Sequence, residues 1–544
     1  MATTPSHRLA GGLAGLLAGA AAVLASEGVA ALLTGVTSPV LAVGNRAIDA
    51  TPRPLKELAI ERFGSHDKPV LLGGMVLTVA VLAVVAGLLG VRRPRLALGA
   101  FLALGVVAAA AVVTDRASSA GVALRLLPVA ALLAVGAAAL LLLLRALRTP
   151  ARRTSSPGTT GGLTAPTWAP EPAAPSVMLP TRVEGDDVPE HFDRRVFLQS
   201  AAAVGAVAVV GGGLRQTFGG SAAAGERADV VLPRPASPAP PLPAGLDVPG
   251  LTPHLTSNAA FYRVDTALRV PDVPIDGFTL RVHGMVDREL ELSFEDLLDR
   301  RLLERRITLT CVSNPVGGPY VGNAAWLGVP VRDLLAEAGV RDGADAVRST
   351  SADKMTIGTP LQALTDPGRD ALVAVGMNGE PLPLAHGFPV RMVVPGLYGY
   401  VSATKWLVDL EVTRFADFKA YWSTRGYSAK APIKTSARID VPRSFAQVKR
   451  GEETPIAGVA WSQGRGIQKV EVRVDGGDWT TAELAPEDGI DTWRQWVHRW
   501  TPTGGTHQIE VRATDGSGST QTRSRAAIAP NGSTGWHSVN VTAS

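Results

Sequence analysis

The chain begins with long runs of apolar residues and ends with runs in which apolar and polar residues alternate. Residues 9–43, 70–91, 96–114 and 126–144 carry almost no charge, and a fifth such stretch covers residues 196–214. A helix needs about 20 apolar residues to cross the hydrocarbon layer of a membrane. The pattern therefore predicts a bundle of about five transmembrane helices, four of them in residues 1–148 and the fifth in residues 193–215.

Arginines beside these stretches predict the orientation of the bundle, because basic residues near span ends stay on the cytoplasmic side. They cluster at 92–95, 145–153 and 194–195. This places the N-terminus inside and everything after about residue 215 outside the cytoplasm, in a multi-pass protein of the cell membrane. Arg194 and Arg195, followed by an apolar helix, also resemble a twin-arginine export signal.

Two smaller features accompany the spans. Glu27 interrupts the first stretch and is expected to face the bundle interior or to lie near an interface, because an isolated span would bury it at considerable cost. The remaining possibility is a shorter helix with Glu27 near its outer end. Residues 55–60 have the pattern of a short interfacial helix. A Pro/Ser/Gly-rich cytoplasmic linker is predicted for residues 149–192 and a Pro-rich extracytoplasmic tether for residues 216–251.

The remaining chain is long enough for two soluble domains. In residues 252–430 short strands alternate with helices, which predicts an α+β domain; a capping box at Ser293 and Asp296 starts one helix, and residues 331–338 form another. From residue 431 to 544 only strand patterns occur, with residues 469–474 running into a hairpin turn. This favours an immunoglobulin-like β-sandwich.

Composition narrows the chemistry. With 53 basic and 48 acidic residues the net charge is +5, and no basic helix or zinc-finger spacing suggests a nucleic-acid partner. Cys311 is the only cysteine among 544 residues, so it cannot form an intrachain disulfide. A free thiol outside the cytoplasm needs either burial or a chemical role.

Four separated runs, including the one around Cys311, resemble the sulfite oxidase superfamily of molybdopterin-dependent oxidoreductases. They lie in residues 258–263, 308–314, 377–391 and 399–406. The resemblance implies a molybdenum-cofactor domain of sulfite-oxidase type in residues 252–430, followed by an immunoglobulin-like dimerisation domain. It also implies a molybdenum–molybdopterin cofactor and a two-electron reaction coupled to oxygen-atom transfer.

The resemblance assigns roles to single residues. Cys311 would bind molybdenum, Arg263 would attract an anionic substrate, and Tyr427, with Tyr421 as the alternative, would bring a phenol near the metal's oxo group. His386, Arg391 and Lys405 would hold the pterin and its phosphate. The other cofactor-binding candidates are Asn258, Phe261, Tyr262, Asn314, Thr356 and Ser402.

The sequence departs from the family at two places. Val264 and Asp265 stand where Asn-His is commoner, and residues 315–318 read Pro-Val-Gly-Gly where sulfite oxidases carry paired arginines. Part of the sulfite-binding charge is therefore missing. A sulfoxide- or N-oxide-type reductase on the same cofactor remains an alternative, as does a non-catalytic surface-binding protein.

The sequence offers no second redox centre. It has no CxxCH motif and no cysteine cluster, and the nine histidines fall outside the five apolar stretches. We therefore expect electrons to be exchanged with an external carrier, either a cytochrome or a quinone-linked protein. The other expected partners are a small anionic or polar oxo donor or acceptor, membrane lipid and a second copy of the chain.

Overall fold

The computed structural model describes residues 5–33, 35–52, 55, 62, 67–116, 118, 120–150 and 192–544. The chain divides into two compact units, one made of Met1–Ala50 with Lys68–Gly220 and the other of Thr51–Asp67 with Ser221–Ser544. Most of the predicted cytoplasmic linker, residues 151–191, and residues 56–60 of the predicted interfacial helix lie outside the described residues.

The described part of the first unit is helical. Its helices are α1 Pro5–Ala31, α2 Pro39–Ala50, α3 Asp67–Arg92, α4 Pro94–Thr114, α5 Val122–Arg148 and α6 Arg194–Phe218. All except α2 are long and apolar enough to cross a membrane, which agrees with the five predicted spans. The prediction of a first span over residues 9–43 was wrong, because α1 ends at Ala31 and α2 is a separate helix. The alternative of a shorter helix with Glu27 near its end agrees with α1. His7 also lies within α1, although the predicted bounds left it outside the span.

Helix α1 packs closely against α6. A Cβ atom on Gly211 would lie 2.5 Å from the carbonyl oxygen of Leu24, so only glycine permits this approach of the two backbones. Glu27 is 7% exposed and forms an ion pair with Arg215 of α6 at 3.3 Å. The carboxylate that interrupts the first apolar stretch therefore faces the interior of the bundle.

The second unit starts with a short helix, α7 Ala222–Asp229, inside the segment predicted to be a tether. Arg227 donates a hydrogen bond to the carbonyl of Leu382 at 2.8 Å, and Ser237 forms a β-bridge with Leu303. These contacts make the segment part of the second unit, whereas the sequence predicted a tether for residues 216–251.

Two mixed layers of strand and helix follow. One sheet has the strand order β2-β1-β10-β5-β6 and the other β3-β4-β7-β8, with β9 paired to β7. The strands are β1 Leu280–Gly284, β2 Leu290–Leu292, β3 Leu303–Thr310, β4 Val321–Pro330, β5 Ala346–Ser351, β6 Thr356–Pro360, β7 Leu372–Met377, β8 Glu380–Pro381, β9 Arg391–Val393 and β10 Leu407–Thr413; the helices are α8 Phe294–Leu298, α9 Val331–Ala338 and α10 Leu361–Thr365. The predicted capping box at Ser293 and the predicted helix α9 are both confirmed.

The C-terminal part is built from strands. They are β11 Ser436–Val441, β12 Gln447–Val448, β13 Thr454–Trp461, β14 Ile467–Val474, β15 Thr480–Thr481, β16 Glu483–Leu484, β17 Arg494–Trp500, β18 Gly505–Asp515 and β19 His537–Ala543. Their sheets have the orders β11-β13-β17-β16 and β12-β19-β18-β14-β15. Buried residues of both sheets, among them Ile456 and Val511, pack into one core. As predicted, β14 turns into a hairpin with β15.

The C-terminal sheets also support β3, the strand that leads to the single cysteine. The Thr308 N–H donates to the carbonyl of Asp491 at 2.9 Å, and the Trp493 N–H donates to the Thr308 hydroxyl at 2.8 Å. Gln463 donates to the Thr308 carbonyl at 2.8 Å. Because these bonds are buried, they hold the end of β3 in a fixed position.

Candidate active site

A cavity of about 910 Å³, counted with the solvent at its mouth, lies at the end of β3. Most of its wall is apolar or aromatic, with a few polar and charged groups, which is typical of ligand sites. Seven of the residues singled out from the sequence line it: Phe261, Tyr262, Cys311, His386, Arg391, Lys405 and Tyr427. The fold therefore brings together residues that are separated by more than a hundred positions.

Cys311 follows β3 directly and is 8% exposed. Its N–H donates to the carbonyl of Tyr320 at 3.0 Å, and its sulfur accepts a hydrogen bond from the N–H of Ser313 at 3.4 Å. Burial raises the pKa of the Cys311 thiol. At neutral pH the thiol is therefore protonated unless a metal ion stabilises the thiolate.

Arg391 begins β9 and points its guanidinium into the buried side of the cavity. It donates to the carbonyl of His386 at 3.0 Å and stacks on the Trp326 ring at 4.9 Å. No carboxylate in the described part of the chain pairs with it. Burial lowers the pKa of Arg391 to about 10, because water no longer solvates the charge.

His386 ends a 3-10 turn and is followed by Gly387, whose φ is +115°. A Cβ atom at Gly387 would lie 3.0 Å from the Cβ of Arg391 and 3.1 Å from that of Lys405, so glycine lets the three basic residues approach one another. The His386 ring nitrogen Nε2 lies 3.0 Å from the carbonyl of Asn258 and so carries the proton. Burial, and then the charge of Arg391, lowers the pKa of His386 to about 4, which leaves Nδ1 as an acceptor.

Asp265 connects the two remaining cations. Its Oδ2 accepts from Lys405 Nζ at 2.5 Å and from Arg263 Nε at 2.9 Å. Burial lowers the pKa of Lys405 to about 8, although Asp265 opposes this shift. Arg263 itself is not among the lining residues, and its buried Nη2 has no hydrogen-bond partner in the described part of the chain. Sequence reasoning noted Asp265 only as a departure and missed this bridge.

Aromatic rings form another part of the wall. The ring of Tyr427 lies 5.4 Å from those of Tyr400 and Trp422, and all three residues line the cavity. Tyr421, the alternative to Tyr427, is not a lining residue, and its N–H donates to the carbonyl of Thr356 at 3.2 Å. The geometry favours Tyr427 as the tyrosine that a ligand could contact.

Four predicted cofactor-binding residues do not line the cavity and instead bond to its surroundings. Asn258 accepts from Asn378 at 2.9 Å, besides holding the His386 ring through its carbonyl. Asn314 accepts from the Tyr320 N–H at 2.8 Å. The other two, Thr356 and Ser402, bond to neighbouring backbone groups. Direct contact of these four with a cofactor remains a prediction.

Asp353 is a lining residue that the sequence reasoning did not find. It is 8% exposed and accepts hydrogen bonds from the Ser351 hydroxyl and the Met355 N–H. The sequence shows there only a carboxylate among small polar residues, a pattern that is common in surface turns. Asp353 therefore adds a hydrogen-bond acceptor to a cavity that is also lined by the cations Arg391 and Lys405.

The part of the chain that contains this cavity is similar in sequence to known proteins. A family model described as the oxidoreductase molybdopterin binding domain matches residues 267–422. The sulfite oxidase of Gallus gallus is 33% identical over 321 residues, which cover 50% of this chain and 69% of that protein. The chain belongs to the sulfite oxidase family of molybdenum oxidoreductases. Human mitochondrial sulfite oxidase is 30% identical over 306 residues, covering 47% of this chain and 55% of that protein.

The chain spans about half the length of the mammalian sulfite oxidases that it matches. Among solved structures, the sulfane dehydrogenase SoxCD from Paracoccus pantotrophus has 24% sequence identity and a TM-score of 0.45, over 50% of this chain and 75% of that one. The family relationship identifies the cofactor as molybdenum held by molybdopterin.

The residues of the cavity fit this cofactor of the sulfite oxidase family. A buried guanidinium without a carboxylate partner is costly, and a phosphate would compensate the charge of Arg391. The thiol of Cys311 lies in the same cavity and supplies a soft ligand of the kind that metals such as molybdenum accept. Asp353 can accept hydrogen bonds from the amino edge of a pterin.

The loop that follows Cys311 packs against the C-terminal part of the chain. Residues 314–317 line a separate cavity of about 310 Å³ against the C-terminal sheets. Gly317 has a φ of +76°, and a Cβ atom there would lie 2.0 Å from the ring of His537. This close packing is the structural reason why no larger side chain occupies the position.

Proposed function

We propose that the chain is a membrane-anchored molybdenum oxidoreductase that transfers an oxygen atom to or from a small anionic or polar substrate outside the cytoplasm. One observation carries the proposal: a single cavity contains the only thiol of the chain together with the buried cations Arg391 and Lys405. A thiolate ligand and a cationic phosphate site are the two features that a metal–pterin cofactor requires.

The lining residues divide into groups with distinct tasks. Cys311 binds the metal, Arg391 and Lys405 hold the phosphate, and Asp353 with the neutral His386 offers acceptors to the pterin. When bound, the cofactor supplies a two-electron redox change coupled to oxygen-atom transfer. Burial raises the pKa of the Cys311 thiol, so Cys311 would have to lose its proton to hold the metal as a thiolate.

The substrate is handled by groups that are not needed for the cofactor. Arg263 has one buried nitrogen without a partner in the described part of the chain, which can donate to a substrate oxygen. The Tyr427 phenol lies in the aromatic wall and can donate to the same oxygen or to its neighbour. Asn258, Asn314, Thr356 and Ser402 position the loops around these groups.

Oxidation, as in the sulfite oxidases, is the first candidate for the direction of the reaction. Reduction of a sulfoxide or N-oxide is the second, and one observation favours it: residues 314–317 face another cavity and contribute no cation. A non-catalytic surface protein is less well supported, because it would have no need for an unpaired buried guanidinium beside a thiol. Single electrons then pass to or from an external cytochrome or quinone-linked carrier.

Membrane anchoring rests on the five long apolar helices. The distribution of arginines supports an arrangement with the N-terminus in the cytoplasm and the cofactor unit outside it, delivered through a twin-arginine-type signal at Arg194 and Arg195. We assign an immunoglobulin-like sandwich to residues 431–544, since two strand layers share one core there, and propose that it forms a homodimer.

Elemental analysis tests the proposal directly. The full chain, expressed in a host that makes the cofactor, should contain about one molybdenum per chain, and Cys311→Ser should lose turnover. Because Cys311 is the only cysteine, a thiol reagent reports on it alone: the loaded protein should resist labelling, whereas the cofactor-free protein should be labelled once unfolded. Protein without molybdenum, or full turnover by Cys311→Ser, would refute the proposal.

A second assay decides the direction. Sulfite-dependent reduction of ferricyanide measures oxidation, and reduction of a sulfoxide by a viologen dye measures the reverse reaction. Measuring both with one preparation of known molybdenum content makes the two rates comparable. Activity in only one assay assigns the direction.

A further inference from the structure

The charged groups in and beside the cavity nearly balance one another. The cations are Arg263, Arg391 and Lys405, and the carboxylates are Asp265 and Asp353. Asp265 serves two of the cations at once, with its Oδ2 2.9 Å from Arg263 Nε and 2.5 Å from Lys405 Nζ. Of these three cations, Arg391 is the one without a carboxylate partner among the described residues. A formal excess of one positive charge is left for the cofactor phosphate and the substrate together.

The neighbouring loop cannot add to this charge. Residues 315–318 contain no charged side chain, and Gly317 packs against the His537 ring so closely that a Cβ atom would overlap it. The ring is fixed in place because its Nδ1 accepts from the N–H of Ile439 at 3.0 Å. Burial lowers the pKa of His537 to about 4, so this imidazole contributes no positive charge at neutral pH.

Once a phosphate occupies Arg391 and Lys405, Arg263 is the cation that remains for the substrate. The Nε of its guanidinium already donates to Asp265, and its buried Nη2 has no hydrogen-bond partner among the residues that the structure describes. A second negative charge on the substrate would face the Asp265 carboxylate without a counter-charge. At low local dielectric such like-charge contacts are strongly unfavourable.

We propose that the substrate of this site is a small oxo compound carrying at most one negative charge, and that Asp265 sets this limit by occupying one edge of Arg263. The inference rests on the proposed function, since the cofactor defines where the substrate sits. Asp265 acts through Arg263 and Lys405 and is therefore a positioning residue that also determines specificity. A dianionic oxyanion is a poor ligand of the wild-type site.

Three tetrahedral sulfur compounds of similar shape test the limit: sulfate with two charges, methanesulfonate with one and dimethyl sulfone with none. Each is titrated against the full-length, molybdenum-loaded protein in detergent, and binding is followed by the visible absorption of the molybdenum centre. This readout does not depend on turnover or on the direction of the reaction. For the wild type, the Kd of sulfate should be about tenfold or more above that of methanesulfonate.

Variants at Asp265 separate charge from shape. Asp265→Asn removes the negative charge at nearly constant volume and should lower the Kd of sulfate about tenfold, with that of dimethyl sulfone changing less than about threefold. Asp265→Glu should restore the discrimination against sulfate. Asp417→Asn is the matched control, since it makes the same change in an exposed Arg414–Asp417 pair outside the cavity.

The outcomes distinguish the inference from the proposed function. Wild-type protein without molybdenum overturns both. Molybdenum-loaded wild type that binds sulfate as tightly as methanesulfonate overturns only the charge limit, and so does a loaded Asp265→Asn variant with an unchanged Kd for sulfate. If Asp265→Asn fails to load molybdenum, the order of the three Kd values in the wild type still decides the question.

Discussion

Replacing Arg391 by methionine should have opposite effects on the cofactor-free and the cofactor-loaded protein. In the cofactor-free protein the guanidinium is buried without a carboxylate partner among the described residues, so it opposes folding. In the loaded protein the same charge holds the phosphate. Methionine has a similar length and no charge, and it can fill the space against the Trp326 ring.

The magnitude for the cofactor-free protein follows from the pKa of Arg391. Burial lowers it from the ordinary 12.5 to about 10, which corresponds to about 3 kcal/mol against the charged form. Methionine removes this penalty but also loses the hydrogen bond to the His386 carbonyl, worth about 2 kcal/mol, and stacking worth about 1 kcal/mol. The stability of the cofactor-free protein should therefore change little or rise slightly.

The loaded protein should respond much more strongly. A phosphate charge about 4 Å from the guanidinium gains about 4 kcal/mol at an effective dielectric constant of 20. Losing this interaction weakens cofactor binding about a thousandfold. The molybdenum content of Arg391→Met should fall to a small fraction of the wild-type value, while its melting temperature without cofactor stays at or above that of the wild type.

Arg438→Met provides a control with the reverse outcome. Arg438 is also buried, with 9% of it exposed against 5% of Arg391, but it pairs with Asp440 at 2.6 Å. Its removal leaves a buried carboxylate unpaired, which costs about 3–5 kcal/mol, and should lower the melting temperature. Arg391 does not bind the phosphate if Arg391→Met keeps its full molybdenum content. Its buried charge does not oppose folding if Arg391→Met destabilises the cofactor-free protein as strongly as Arg438→Met does.

Three further substitutions test packing and charge in both units of the chain. Gly317→Ala introduces a Cβ atom 2.0 Å from the His537 ring at a φ of +76°, so it should lower the free energy of unfolding by about 1–3 kcal/mol. The loss should be smaller in protein that also carries His537→Ala, and equal losses in both backgrounds would exclude the clash. Burial raises the pKa of Asp491 to about 6, so the folded state binds the proton more tightly than the unfolded state and loses stability as the pH rises through 6. Asp491→Asn should therefore melt above the wild type at pH 8, with the difference vanishing as the pH falls towards 4. Gly211→Ala places a Cβ atom 2.5 Å from a carbonyl of α1 and should lower the melting temperature in detergent, whereas Gly213→Ala, which meets nothing within 4 Å, should not.

Local patterns predicted the elements whose signals lie within a few consecutive residues. The five apolar helices, the capping box at Ser293 and the helix Val331–Ala338 were all predictable, because composition and side-chain spacing determine them. The break between α1 and α2 was not. Glu27 left a shorter first helix possible, but apolar residues continue on both sides of it, so composition alone did not show that α1 stops at Ala31.

The same division applies to the site. The resemblance to the sulfite oxidase family grouped Cys311, His386, Arg391 and Lys405, and the fold places them in one cavity. The bridge through Asp265 could not be predicted, because the contact joins residues 140 positions apart and depends on how two loops meet. A family pattern shows which residue types recur at a position. The role of a residue that departs from the pattern, such as Asp265, depends on the residues that it contacts in the fold.

The C-terminal sheets contribute to the chemistry although none of their residues lines the main cavity. They hold β3 through Thr308, and the His537 ring occupies the space beside Gly317. The loop that starts with Cys311 lies between these two contacts, so its position depends on residues more than 150 positions further along the chain. The His537 ring also leaves no space for a charged side chain at Gly317. A cation at position 317 would therefore require a smaller residue in place of His537, because this ring fills the space beside Gly317.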